Sequence, residues 1–506
     1  MNRVLSTFDK LQTGITGLDQ IAHGGLPKGR ATLVAGTAGS AKTVFGAHFL
    51  AAGITEYNQP GVFVSFEETP SNLRRNMAGF GWNIAAWENS RKWTFIDASR
   101  VAEHQEAVSG DFDFGGLVAR IKHAVTEIKA TRLVLDSIGA VFTQFESASI
   151  VRRELYSLAE SLKELGVTSI VTAERIADYG EISRFGVEEF VADNVLLMRN
   201  VLEEEKRRRT MEILKFRGTN HQKGEIPFTV VPEVGIELLP LSSMELTQRS
   251  SMNRISSGVD MLDKMCGGGF FQDSIILVSG ATGTGKSMTT SHFVNTSKGN
   301  ERSLLLGFEE SRDQLIRNSQ GWGMDFAKQE AEGKLKIICA YPESAALEDH
   351  LIQAKRAIEE FKPTRVAIDS LSALERMSVP KNFREFVLSM TALLKSKEIA
   401  GLFTSTTATL LGGQSVTEAH ISTITDTIIL LRYVEMFGEM KRGLTVLKMR
   451  GSRHDKDIRE FSIDENGMHI GKPFANVSGI LSGSPIHISP RESERFDKMF
   501  DDGKGT

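Results

Sequence analysis

Two stretches of the chain, GTAGSAKT at 36–43 and GATGTGKS at 280–287, have the residue types of a phosphate-binding loop. Glycines let successive backbone N–H groups close around phosphate oxygens. The lysine reaches the terminal phosphates, and the hydroxyl after it can ligate Mg²⁺. Gly280, Ala281, Thr282, Gly283, Thr284, Gly285, Lys286 and Ser287 match G-x-x-x-x-G-K-[ST] throughout and are read as an ATP loop. Gly36, Thr37, Ala38, Gly39, Ser40, Ala41, Lys42 and Thr43 depart from it only at Ala41, where the pattern has its second glycine. A Cβ there is tolerable unless the backbone needs a positive φ, so the first loop is expected to bind and use ATP too. Apolar runs end at Asp136 and Asp369, placed to support magnesium together with Thr43, Ser287 and, in the second copy, Glu309.

Further residues could do the chemistry. Glu67–Glu68 and Glu309–Glu310 close the second apolar run after each loop. Neighbouring strand side chains point opposite ways, so one glutamate of each pair can face a γ-phosphate. A carboxylate that polarises an attacking water contributes about 10²–10⁴-fold, and Glu67 and Glu309 are the expected bases. Lys215 with Arg217 and Lys448 with Arg450 recur as K-x-R-G. Cations set against a γ-phosphate accelerate phosphoryl transfer by about 10³–10⁵. If these act across a subunit boundary, the protein is a ring.

The elements that must position these groups are written twice. Lys286 follows Lys42 by 244 positions, as Gly258 follows Gly14, Leu262 follows Leu18 and Gly268 follows Gly24. FEETPSNLRRN (66–76) answers FEESRDQLIRN (308–318), and KFRGTNH (215–221) answers KMRGSRH (448–454) at an offset of 233. A repeat this long is a whole domain rather than a solenoid unit. The expected domains are 1–245 and 246–485, joined in the serine-rich stretch near 240–255, with a tail at 486–506. In each copy short apolar runs such as ATLVAG (31–36), GVFVSF (61–66), RLVLDS (132–137) and TSIVTA (168–173) alternate with helix-like stretches such as 114–130. That alternation predicts an α/β fold, each domain a mainly parallel sheet flanked by helices. Runs at 194–199 and 210–218 bracket the charged LEEEKRRR and predict an antiparallel hairpin with the charges in its turn.

Composition narrows the function classes. With 60 Lys and Arg against 64 Asp and Glu, the net charge of −4 gives no basic field for nucleic acid or an acidic membrane. Two cysteines cannot build a disulfide framework, and 11 histidines form no ligand-spaced cluster. No run is long and apolar enough for a bilayer, and the start is no signal peptide, so a cytoplasmic protein is expected.

The copies disagree at one informative place. The offset of 233 sets Glu189 and Phe190 against Ser422 and Thr423. The second copy could switch chemically there, because a phosphorylated serine gains about −1.5 to −2 charge. Taken alone, such hydroxyl pairs are ordinarily solvated or capping.

The two loops, FEETP, FEES, IDSLSAL (368–374), KFRGTNH, KMRGS and above all HISTITDTIILL (420–431) resemble the KaiC family of circadian clock proteins. The likeness spans nearly all of residues 10–485. It implies tandem RecA-like P-loop NTPase domains, a homohexamer of two stacked rings, and ATP with Mg²⁺ between adjacent subunits. It implies ATP hydrolysis in the N-terminal ring and serine/threonine autokinase activity in the C-terminal ring, with Ser422 and Thr423 phosphorylated across the interface. Lys215, Arg217, Lys448 and Arg450 match residues that reach the neighbour's nucleotide, His221 joins the ATP-binding set, and Arg376, Thr417 and Glu418 match positions around the phosphosites. A KaiB-like partner is implied at the N-terminal ring, whereas the short tail matches no KaiA-binding segment. Arg453 stands where better-known members carry tryptophan. Two rivals share the fold: a RecA-like motor on DNA, which needs a cationic groove, and an ATP-assembled signalling scaffold with no phosphorylation of Ser422 or Thr423.

Overall fold

The computed structural model describes residues 9–98, 114–142, 148–182, 192–203, 205–240, 250–295, 299, 301–407, 421–436, 438–475, 477–480 and 486–487. It divides into two compact units, Met1–Met244 and Glu245–Thr506.

In the first unit, strands β1 (Ala31–Gly36), β2 (Gly61–Ser65), β3 (Trp93–Asp97), β4 (Arg132–Asp136), β5 (Thr168–Glu174) and β6 (Asn194–Glu203) precede β7 (Lys206–Phe216), β8 (Glu225–Val231) and β9 (Gly235–Leu238). The sheet order is β9-β8-β7-β6-β1-β5-β4-β2-β3. The six strands from β6 to β3 run parallel, and β7, β8 and β9 continue the sheet antiparallel. Parallel strands are buried on both faces and so read as unbroken apolar runs. In β4, Val134 joins the cluster with Phe45, Phe49 and Leu50 of helix α1 (Lys42–Tyr57), while Leu133 and Leu135 join Ile121 of α2 (Phe114–Ile128) and Leu158 of α3 (Ala148–Glu164) on the other face. Alternate side chains thus anchor helices on opposite faces of the sheet.

The second unit repeats the plan: β10 (Ile275–Gly280), β11 (Ser303–Gly307), β12 (Leu335–Cys339), β13 (Arg365–Asp369), β14 (Ala400–Thr406), β15 (Thr427–Met436), β16 (Glu439–Met449), β17 (Arg459–Asp464) and β18 (Gly467–Pro473). Its order, β18-β17-β16-β15-β10-β14-β13-β11-β12, is that of the first sheet. Its longest helices are α4 (Lys286–Asn295), α5 (Leu347–Phe361) and α6 (Pro380–Ser396). Both units are RecA-like, and the expected fold class holds.

Three expectations change in detail. The charged run at 203–209 is not all turn: Glu203 pairs with Lys206 across the β6–β7 hairpin, and the arginines lie in β7. Each has a local partner that a residue count misses. Arg207 Nη1 donates to Asn200 O at 2.7 Å, Arg208 lies 3.7 Å from Glu203, and Arg209 Nε donates to Gly39 O. Strand β2 stops at Ser65, before the glutamates, where Ser65 Oγ donates to Glu68 O at 2.6 Å; β11 stops at the matching Gly307. The start of the expected tail is structured: Ile486–His487 pairs with Val477–Ser478. Residues 488–506 lie outside the described residues.

Candidate functional site

Each loop joins the central strand of its sheet to a helix, β1 to α1 and β10 to α4. Lys42 Nζ donates to Gly36 O at 2.8 Å and Thr37 O at 3.0 Å; Lys286 Nζ donates to Gly280 O and Ala281 O, each at 2.9 Å. Burial lowers the pKa of both lysines. Opposing this are Glu174, Asp136 and Glu67 around Lys42, and Asp369 and Glu309 around Lys286. The backbone at Ala41 has φ 70°, and at Gly285 φ 107°. Position 41 therefore does require a positive φ, and its Cβ is accommodated at a cost rather than freely.

Asp136 is buried and Asp369 half-buried, and burial raises the pKa of both; Thr172 and Thr43 hydrogen-bond the first, Thr404 and Ser287 the second. The loop hydroxyl and the strand-end carboxylate are thus adjacent in both units. This oxygen pair suits a hard divalent cation.

The glutamates sort themselves by hydrogen bonding rather than by strand alternation. Asn76 Nδ2 donates to Glu68 Oε2 at 2.9 Å, and Asn318 Nδ2 to Glu310 Oε2 at 2.8 Å. Glu67 lies among Asp136, Glu174 and Lys42; its pKa is raised, first by burial and then by the two carboxylates. Glu309 pairs with Arg376 at 3.1 Å. Burial also raises the pKa of Glu310. Asn76, Asn318 and Glu174 were missed by sequence reasoning, although the asparagines recur at the same offset in the two FEE motifs.

The K-x-R cations lie elsewhere. Thr427 pairs with Ile276 and with Met449, and Lys448 is level with Leu277, so the K-x-R end of the strand lies toward the start of β10, whereas the loop follows its end at Gly280. Lys448 Nζ donates to Ser422 O and Thr425 O, both at 2.7 Å, and Arg450 Nη2 to Thr423 O at 2.8 Å. Ser422 and Thr423 form a one-turn 3-10 helix, Ile421–Thr423, with Thr423 exposed. A polar cleft of about 360 Å³ opens beside Asp426 and Arg450. The first unit repeats the arrangement: Lys215 Nζ donates to Ala192 O at 2.9 Å, Arg217 lies 3.5 Å from Asp193, and Phe216 is level with Thr32 rather than with the loop. His221 follows that same strand end and contacts Gln222 O through Nδ1. Glu189, Phe190, Thr417 and Glu418 lie outside the described residues.

One family model, described as the KaiC ATPase, matches residues 11–243 and again 255–474, so each match contains one loop. The chain belongs to the KaiC family. It is 62% identical over 496 residues to the circadian clock protein KaiC3 of Synechocystis sp., covering 98% of both chains. It is 56% identical to the circadian clock oscillator protein KaiC of Thermostichus vulcanus and 54% identical to that of Synechococcus elongatus, each over 97% of this chain and 94% of the relative. As a KaiC-family protein it carries two ATPase domains, one around each loop. No helix among the described residues is long and apolar enough to cross a membrane.

Proposed function

We propose that this KaiC-family protein hydrolyses ATP at its N-terminal loop and transfers the γ-phosphoryl group from its C-terminal loop to Ser422 or Thr423 of the next subunit in a hexameric ring. One observation carries the transfer across subunits. The acceptor turn and the cations that hold it lie at the opposite end of β10 from the loop of the same chain. Four strand residues separate the two levels, roughly 13 Å at about 3.3 Å each. A phosphate on Lys286 is therefore out of reach of Ser422 in its own chain, and the acceptor faces a neighbour.

In the second ring Glu309 takes the hydroxyl proton, the Ser422 or Thr423 oxygen bonds to phosphorus, and ADP leaves. Lys448 and Arg450 fix the acceptor turn through its carbonyls and bring cationic charge to the neighbour's γ-phosphate. Lys215, Arg217 and His221 present the equivalent surface in the first ring, where Glu67 polarises water. Thr43 with Asp136, and Ser287 with Asp369, would hold Mg²⁺, which when bound draws charge from the phosphate oxygens. A KaiB-like partner at the N-terminal ring is part of the same proposal; the relatives named as circadian clock oscillator proteins support clock partners only in general.

Mixed rings test this reading. The Lys286→Ala chain lacks a donor, and the Ser422→Ala/Thr423→Ala chain lacks an acceptor. Each alone should stay unlabelled by radioactive ATP, and rings assembled from both should label. Unlabelled mixtures, beside a labelling wild type, would end the proposal.

A further inference from the structure

The two phosphate loops are braced differently. In the C-terminal copy the brace is internal: Thr284 Oγ1 donates to Ala281 O at 2.7 Å. At the matching position of the N-terminal copy, the buried Ser40 Oγ makes no hydrogen bond among the described residues. This loop is held from outside. Thr37 Oγ1 donates to Asp178 Oδ1 at 2.7 Å, and Arg209 Nε donates to Gly39 O at 3.2 Å. The C-terminal copy has Ala281 in place of Thr37. Offsets of 232 or 233 put Leu410 or Leu411 in place of Asp178, so it cannot form the first of these bonds.

Asp178 is itself anchored to the sheet. The same Oδ1 accepts from Asn200 N at 3.1 Å, and its carbonyl accepts from Arg175 Nη1 at 2.9 Å and Arg199 Nε at 3.1 Å. Arg175 also donates to Gly180 O and Glu181 O, folding the segment after β5 around its guanidinium. Both arginines are buried, and Arg199 pairs with Glu212 at 2.7 Å and Glu225 at 3.4 Å. A continuous polar path therefore runs from β7 and β8, through Arg199 and Asp178, to the first residue after β1. At the other end of the loop stands Ala41, with its unfavourable positive φ. A loop that lacks the internal brace and carries this strain needs an external hold.

We propose that Asp178 is a positioning residue of the N-terminal ATP site: by accepting from Thr37 it fixes the phosphate loop in the shape that takes the phosphates of ATP. The C-terminal copy assigns that task to Thr284. The inference takes ATP as ligand from the family and adds a residue outside the loop motif. A hydroxyl bonded to a carboxylate is among the stronger hydrogen bonds, so its loss should be felt as weaker nucleotide binding rather than slower chemistry.

Steady-state ATP hydrolysis by the full-length chain tests this in a Lys286→Ala background, which leaves the N-terminal loop as the ATP site. Asp178→Ala and Thr37→Val should each raise KM about 10-fold, with a smaller change in kcat. The double variant should be no worse than either single one, and Thr37→Ser, which restores a hydroxyl, should recover most of the affinity. Should Asp178→Ala fail to fold, Thr37→Val, which removes only the hydroxyl, carries the same comparison. An unchanged KM in Thr37→Val, effects that multiply in the double variant, or no recovery in Thr37→Ser would each overturn the proposal.

Discussion

Asn318 holds Glu310 through a 2.8 Å bond from Nδ2 to Oε2, and Asn76 holds Glu68 in the same way at 2.9 Å. The second glutamate of each pair is thereby fixed to the helix that follows, and the first is left toward the lysine and the strand-end aspartate. The two glutamates should therefore differ sharply on substitution. Glu67→Gln should lower N-terminal ATP hydrolysis by about 10²–10⁴-fold, the usual worth of a general base. Glu68→Gln keeps an oxygen for Asn76 to bond and should cost about 10-fold or less. Phosphate release assays on both variants check the ratio, and equal losses would contradict the assignment of Glu67.

The surroundings of Glu67 also set a pH dependence. Burial, Asp136 and Glu174 raise its pKa above the ordinary 4.5, while the Ser137 hydrogen bond and Lys42 oppose the shift. A base must be ionised, so hydrolysis should fall on the acid side at a pH above the usual glutamate range. The same shift acts on stability with the opposite preference. A carboxyl with a raised folded pKa stabilises the fold below its unfolded pKa and loses that contribution as pH rises through the folded value. Nucleotide-free Glu67→Gln should thus melt higher than wild type at pH 8 and lose this advantage near pH 4. A melting series across that range reads the sign directly.

The fold was legible because its information is local and written twice. ATLVAG is β1 as read, and β2 and β4 each end one residue before the runs read for them. Continuous apolar runs record burial on both faces, and the repeat removed the ambiguity of any single run. What failed to show depends on contacts across the chain. The arginines at 207–209 look like a solvated turn until the pairing with β6 supplies Asn200 and Glu203. Thr37 and Asp178 are 141 residues apart, and no motif joins them. The glutamate pairs were read as strand residues, whereas the strands end before them, at Ser65 and Gly307. The asparagines that distinguish the two glutamates were visible as repeated letters, but only their bonds give them a meaning.

Ala41 and Gly285 make the two loops unequal in a way that stability can measure. Ala41 sits at φ 70°, ψ 28°, where a Cβ costs about 1–2 kcal/mol. Ala41→Gly should stabilise the N-terminal unit by about 1 kcal/mol, since part of the gain is lost to the greater freedom of glycine in the unfolded chain. The reverse exchange is worse. Gly285 has φ 107°, farther from the region alanine tolerates, and a Cβ there would lie 3.0 Å from Ile463 Cδ1. Gly285→Ala should cost more than Ala41→Gly gains. Urea unfolding of the two variants, followed separately for each unit, measures both signs.

His48 and His292 stand at matching positions in α1 and α4 and tie each phosphate-loop helix to the last strand of its nine-stranded sheet. His48 Nδ1 accepts from Ile236 N at 3.1 Å, and His292 Nε2 accepts from Met468 N at 2.9 Å. An imidazole nitrogen accepts only while it carries no proton, so both rings are neutral acceptors. Burial lowers each pKa to about 4 from the ordinary 6.5. Folding therefore favours the neutral form. The stability this contributes is complete above pH 6.5 and is lost as pH falls from 6.5 toward 4. A gap of that size corresponds to about 3 kcal/mol per histidine at its limit. Gly235 and Gly467 leave room for the rings, since a Cβ would lie 2.8 Å from His48 Nδ1 or 2.4 Å from His292 Nε2. Wild-type protein should lose melting temperature steeply between pH 6.5 and 4. His48→Gln/His292→Gln, which keeps a side-chain oxygen acceptor without an ionisable ring, should be less stable at pH 7.5 but show a flatter acid slope. Parallel slopes in the two proteins would remove the histidines from the acid response.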